Sequence, residues 1–485
     1  MTRKAVLLYI CIALTLGAAA QAQTQTKPVM GPLQEYSATL TLFPLPPPVS
    51  IGPKTAEAPL FTYGFDERVR TEDWNPPFDF NDKSAGPGGS NQHEQLRLRT
   101  RLWAGLSSPH SEVQFNVRLL NEIKKAVYID ERFNDNEVVV DALNFKFNKT
   151  YIPGVTLSVG RQDWGKNDGF LFMDATGNDG SRTNYWNMVN VTYTHKKSQF
   201  EFIGAINPRQ DHLFPIIHNQ RVNLNEWDEQ AAGVYYTDRN HKNTDIDAYY
   251  FLKKETNDYR AASNALFQPN KHINTVGGRI LQRLPNGLSI KGEGALQWDA
   301  LHANPAKALA ATHYTAFGGY VTVTKQLTKV KGKPFFIGGY TVLTGSDKQA
   351  DGVGFDPLFS RWPRYSELYT YSLVQEKGPN YISNDRIVTA EAGFTPLKAI
   401  TLRTAFMQHQ AFNEISHFNS KIFGTGTNRG ENLQARGDIV LNKNWMGHIL
   451  WERWWAGDFY AHQDPAYFFR AEVTYTFRDK INGPK

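Results

Sequence analysis

Between Gln95 and Leu106 the chain alternates, residue by residue, between two chemistries. Leu96, Leu98, Leu102, Ala104 and Leu106 share one parity, while Arg97, Arg99, Arg101 and Trp103 share the other. Successive side chains of a strand point to opposite faces, so this segment sets an apolar row back to back with a cationic row. A soluble sheet resting on a core has the same period. Recurrence separates the two cases, because a transmembrane barrel repeats the pattern in every strand, apolar side to lipid and polar side to the lumen.

The pattern does recur. Phe61, Tyr63, Phe65 and Val69 face away from Asp66, Arg68 and Arg70, and Val113, Phe115, Val117 and Leu119 oppose Gln114, Asn116 and Arg118. Ile246 to Leu252, Leu288 to Trp298, Ile400 to Phe406, Leu433 to Leu441 and Tyr467 to Phe477 read the same way, and weaker segments lie between them. The total is about eighteen, an even number in the size range that leaves an aqueous channel. Connectors support this independently. Short links such as 195–198, 284–287 and 442–445 interleave with long ones such as 75–94, 163–184, 207–227, 345–385 and 409–431. Short periplasmic turns and long extracellular loops alternate in this way. The expected fold is therefore all-β, a transmembrane antiparallel barrel over 60–477, located in the outer membrane of a Gram-negative cell and surrounded by its lipid.

The N-terminus agrees with an exported chain. Arg3 and Lys4 precede an apolar run from Ala5 to Ala20 and an Ala20-Gln21-Ala22 site, which reads as a signal peptide over 1–22. Residues 23–59 are Pro-rich, with five prolines between Phe43 and Pro53, and are expected to form a periplasmic segment rather than strands. Residues 478–485 are expected as a tail behind the last barrel aromatic, Phe477. Cys11 is the only cysteine and lies within the apolar run, so the processed chain has neither a disulfide nor a thiolate nucleophile. Mean hydropathy is −0.48, and no later run approaches the roughly 18 apolar residues of a spanning helix. Aromatics reach 13%, enough to supply girdles at both membrane interfaces.

Arg68, Arg70, Arg97, Arg99, Arg101, Arg118, Lys291, Arg403, Arg436 and Arg470 all fall on the parity opposite the apolar row. Guanidinium groups stay charged and match carboxylates with two parallel bonds. Rings of them in an aqueous pore attract and pass anions, ideally a chain of carboxylates moving hand over hand. The plainer alternative is lumen packing, with these cations paired to Glu293, Asp299, Glu391, Asp438 and Glu472.

A family resemblance becomes visible along the same stretch. Val159-Gly160-Arg161-Gln162-Asp163-Trp164-Gly165 resembles the Gly-Arg-Gln signature of the alginate-export family of outer-membrane porins. Gly345 to Phe359 is similar to a family loop, with Ser346-Asp347 ahead of Gly354-Phe355-Asp356-Pro357-Leu358-Phe359, and Ile273 to Trp298 is similar to the family's central hairpin. The resemblance implies a monomeric eighteen-stranded barrel whose arginine-rich constriction passes acidic polysaccharide, with Arg161 among the pore arginines. Alternation alone groups Arg161 with Val155, Leu157 and Val159, so a pore position requires a bulge near Gly160.

Other chemistries find little in the chain. It has no P-loop, no H-E-x-x-H and no G-x-S-x-G, so no catalytic residue, metal site or cofactor is expected. Asn167-Asp168-Gly169, Gly177 to Gly180 and Asp351 to Gly354 lack the ligand register of a calcium loop and read as turns. Trp451, Trp454, Trp455 and Tyr460 read as an interface girdle. The expected partners are an anionic polysaccharide or a small carboxylate, and periplasmic export proteins, with no nucleic acid. An uptake porin for small carboxylates is the alternative function, and a barrel enzyme comes third.

Overall fold

The computed structural model describes residues 60–75, 80–81, 93–126, 133–173, 186–210, 228–256, 270–303, 310–347, 353–360, 364–368, 383–417 and 419–482. The expected signal peptide and Pro-rich segment lie outside this set. Eighteen strands follow one another: β1 (Leu60–Asn75), β2 (His93–Ser107), β3 (Val113–Ala126), β4 (Phe133–Phe147), β5 (Val155–Gln162), β6 (Trp186–His195), β7 (Ser198–Asn207), β8 (Asp228–Asp238) and β9 (Thr244–Thr256) form the first half. The second half is β10 (Lys271–Leu284), β11 (Leu288–Leu301), β12 (Thr312–Gln326), β13 (Phe335–Leu343), β14 (Asp385–Leu397), β15 (Ile400–Gln410), β16 (Asn428–Val440), β17 (Trp445–Ala456) and β18 (Ala466–Asn482). Each strand pairs antiparallel with its chain neighbours, and β1 pairs with β18, so the sheet closes into a barrel with no free edge. The last strand runs to Asn482, so residues 478–482 continue β18 beyond Phe477 instead of beginning a tail.

Alternation is carried through to burial. Phe61, Phe65, Leu102, Leu106, Phe317, Phe336, Phe406 and Phe469 are exposed on the outside, while Arg68, Arg99, Glu122, Glu293 and Arg470 are buried inside. Leu98 faces outward near the centre of β2. An arginine there should cost about 2–4 kcal/mol if it lies near the bilayer midplane. Equilibrium unfolding in lipid of Leu98→Arg measures this, and a neutral result would place Leu98 near an interface.

The expected connector rhythm holds in order but not uniformly in length. Turns 196–197, 285–287 and 398–399 are short and periplasmic, and loops 163–185 and 344–384 are long and extracellular. Connectors 127–132 and 457–465 are also extracellular, yet short.

Candidate functional site: an arginine column beneath an inward-folded loop

One wall of the interior, centred on the β1–β18 seam, carries most of the guanidinium groups. Register fixes their heights. Along this wall Arg478 sits beside Gly64, Arg101 beside Asp66, Arg99 beside Arg68, Arg97 beside Arg70, and Arg470 beside Glu72. Each step is two residues along a strand, about 7 Å. The lowest rung, Arg478, stacks over Trp103 with 5.4 Å to the ring centroid. Sideways, the band continues through Arg436 and Arg403 on β16 and β15, and through Glu122 on β3.

Three arginine pairs face each other directly across strands: Arg68 and Arg99, Arg70 and Arg97, Arg403 and Arg436. Like charges so placed are destabilising. Carboxylates threaded between them offset this. Glu72 accepts from Arg470 at 2.5 Å and Arg97 at 3.1 Å, and lies 3.5 Å from Arg70. Glu472 takes Arg70 at 2.5 Å, Glu122 takes Arg97 at 2.8 Å, and Asp66 takes Arg101 at 2.7 Å. Asp438 holds Arg436 at 2.7 Å and Arg403 at 2.9 Å.

Above this column the long β13–β14 loop folds into the barrel. One described part, Phe355 to Ser360, docks on β9–β11. Lys253 donates to the Leu358 carbonyl at 2.6 Å, Lys271 pairs with Asp356, and Gln297 exchanges hydrogen bonds with the Asp356 backbone at 2.7 and 2.8 Å. Gly318 makes room, since a Cβ there would meet the Phe355 ring at 2.3 Å. The second part, Arg364 to Leu368, docks on the arginine wall. Ser366 and the Glu367 amide donate to Glu452 at 2.7 and 3.0 Å. Glu367 grips Arg470 with both oxygens, at 2.6 and 2.8 Å. The loop thus straps one wall to another.

The β5–β6 loop joins it from below. Phe172 packs on Phe251 at 4.4 Å, and Phe170 on Phe355 at 5.6 Å. Asp168 lies between Lys291 at 2.9 Å, the Tyr320 hydroxyl at 2.8 Å and Arg364 at 3.2 Å. Burial alone would raise the Asp168 carboxyl, but Lys291 and Arg364 outweigh it and hold the group well below the usual carboxylate range.

Every charged residue singled out as pore-lining is buried or half-buried, but they do not form one cluster. Arg68, Arg70, Arg97, Arg99, Arg101, Arg403, Arg436 and Arg470 share the wall just described. Arg118 stands at its edge, bidentate to Asp163 at 2.7 and 2.9 Å and paired with Asp141. Arg161 is buried and donates to Asn187 at 2.8 Å and the Val140 carbonyl at 2.7 Å. Gly160, with φ +118°, breaks the plain alternation just before it. Lys291 and Glu293 lie on the far wall, Lys291 bound to Asp168 directly and Glu293 through Tyr320.

Two expectations need correction. Trp454 and Tyr460 are not girdle residues: Trp454 is 0% and Tyr460 1% exposed, and both pack on Phe80 inside the barrel. Trp451 and Trp455 do face outward. Asp168 is more than a turn former, because it is the junction of two loops and two strands. Sequence alone singled out neither Lys271, Arg364 and Glu367 nor the tie to β10 of Asp356, which figured only within the family-like loop. The available signals were the family-like run Gly354 to Phe359 and the four aromatics within 353–368.

Comparison with known proteins agrees with this geometry. The barrel is similar to solved structures from Pseudomonas aeruginosa: OccK11 (OpdR) at TM-score 0.53 and 11% identity, covering 88% of this chain and 99% of that one, and OccK5 (OpdH) at TM-score 0.52 and 11% identity, covering 86% and 98%. OpdK solved with vanillate gives TM-score 0.53 and 10% identity, covering 87% and 99%. Likeness at this identity concerns the fold, which is that of outer-membrane porins. A search of curated proteins gives no match. The sequence profile described as alginate export matches residues 65–474. The protein is an outer-membrane channel, not an enzyme, and it belongs to the alginate export family.

Proposed function

We propose that the channel passes anionic solutes, foremost an acidic polysaccharide of the alginate type, outward along the arginine column. The observation that carries this reading is the set of three directly opposed arginine pairs within one buried band. Carboxylates compensate each pair, but packing alone would be served more simply by an arginine set directly opposite a carboxylate, since like charges face to face weaken the sheet. A path for carboxylates gives the facing pairs a use. Glu367 supports the same reading, since it occupies on Arg470 the place a substrate carboxylate would take, with bidentate geometry. Exchange of one carboxylate for the next along rungs about 7 Å apart gives attraction enough to enter and too little at any rung to hold.

Reversal potentials of the reconstituted channel in a salt gradient test this. The native protein should prefer anions, and Arg97→Ser, Arg99→Ser and Arg101→Ser combined should reduce both that preference and block by polyuronate, read on the fraction whose heat-modifiable migration shows a folded barrel. Cation preference in the native channel would defeat the proposal. Uptake of small carboxylates is the second reading. The strap narrows the lumen, and the similar barrel of OpdK was solved with vanillate. Small-carboxylate flux without polyuronate block would favour it.

A further inference from the structure

The two ends of the barrel differ sharply in charge. The eight periplasmic turns hold ten lysines and arginines against a single acidic residue, Glu112. The extracellular connectors hold nineteen acidic residues against thirteen lysines and arginines. Nothing in barrel folding requires this, because turn tips of either sign are equally solvated.

Most of the periplasmic cations are uncommitted among the described residues. Lys149 pairs with Glu112 at 2.5 Å, and Arg239 with Asp247 at 2.9 Å. Acidic residues at the adjoining strand ends are occupied too: Asp245 accepts from Arg283 at 2.7 Å, and Asp238 lies 3.8 Å from His241. Lys196, Lys197, Lys329, Lys331, Lys333 and Lys398 stand exposed at turn tips, with no ion pair.

We propose that this lysine rim is the loading site at which an acidic polysaccharide chain is captured from the periplasm before it enters the arginine column. The inference rests on the reading of the channel as a polyanion path and adds the side of entry. A lysine ammonium is a strongly hydrated point charge on a flexible stem, suited to holding a moving polyanion loosely. A rim of one sign around a low-dielectric wall focuses the field and raises the local concentration of the opposite charge. Arg478, exposed at the mouth and the lowest rung of the column, connects rim to lumen. At the other end, the acidic excess disfavours recapture of a chain that has left.

Anionic lipid of the inner leaflet is the competing occupant. Two observations favour the polysaccharide. The lysines lie at turn tips, whereas the outward faces of the strand ends below them stay apolar, as at Leu284, Phe336 and Phe394. The cationic surface also continues inward through Arg478 rather than outward.

The test uses the reconstituted full-length channel, with polygalacturonate oligomers added to one side of a planar bilayer at a time. Side is assigned by thiol-reagent access to Lys242→Cys. Current blockades at 0.15 M salt should be about tenfold more frequent from the periplasmic side, and the difference should fade at 1 M salt, where screening shortens to about 3 Å. Lys196→Gln, Lys197→Gln, Lys329→Gln, Lys331→Gln and Lys333→Gln combined should abolish the asymmetry at about 0.15 M salt, while conductance at about 1 M salt, where the rim is screened, stays as in the native channel. Equal capture from both sides, or asymmetry unchanged in the variant, overturns the proposal. So does normal capture by a variant that loses affinity for phosphatidylglycerol vesicles, which would assign the lysines to lipid. Anion selectivity with symmetric capture would sink the rim alone, and asymmetric capture without anion selectivity would sink the arginine path alone.

Discussion

Glu72→Ala should destabilise the barrel by about 3–5 kcal/mol, the cost of leaving buried charge uncompensated. Glu72 is fully buried and bonded or paired to Arg470, Arg97 and Arg70, with Gln95 donating as well. Its removal takes from Arg470, Arg97 and Arg70 the carboxylate they share, leaving one further carboxylate to each, Glu367, Glu122 and Glu472. Glu72→Gln keeps the shape and some acceptor capacity, so it should fall between the native protein and alanine. Adding Arg470→Leu to Glu72→Ala should recover part of the loss, because one of the three under-compensated charges disappears. Urea titration in lipid vesicles, followed by the shift between folded and unfolded bands, measures all three. A loss under about 1 kcal/mol for Glu72→Ala would mean that water reaches the column and solvates the arginines there.

The facing of the barrel was legible in the sequence because the period of a strand is two. A slip of one residue would turn Leu96, Leu98 and Leu102 inward and the arginines into lipid, so only one register is tolerable. That constraint is repeated in strand after strand, which is why strand number, closure and the interior placement of Arg68 to Arg470 could be anticipated. Where the period breaks, the reading broke with it. Arg161 follows Gly160, whose backbone lies in a region side chains rarely adopt, and parity counted from Val155 therefore points the wrong way. Trp454 was a different failure. Parity already separates it from Trp451 and Trp455, but all the tryptophans were grouped by composition.

The strap was not legible, for a physical reason. Asp168 contacts Lys291, Tyr320 and Arg364, all more than a hundred residues away in sequence. No local pattern distinguishes an aspartate that caps a turn in water from one that closes a long-range cluster. Loops normally run over the surface, and this one is affordable inside only because strand residues satisfy its backbone: Lys253, Gln297 and Glu452 each bond a main-chain group.

If the strap limits the lumen, releasing it should raise conductance. Asp168→Ala combined with Asp356→Ala removes both carboxylates that tie the loops to β10 and β11, leaves Lys291 and Arg364 without the carboxylate they share, and leaves Lys271 with Glu255. Loop release should precede any opening of the barrel, because the strands are held by continuous ladders and the loops by these few bonds. Single-channel conductance should therefore rise severalfold, while heat-modifiable migration of the barrel stays native. Acid should not substitute for the mutation. The Asp168 carboxyl is held below its ordinary value, so the stability it contributes is present above the unfolded value of about 4 and is lost only as pH falls through the lower folded one. Protonation of Asp168 itself should accordingly contribute no change in conductance between about pH 8 and about pH 5. A double variant with native conductance would show that ions already pass beside the strap, and the barrel's limiting aperture would then have to lie lower, among the arginines themselves.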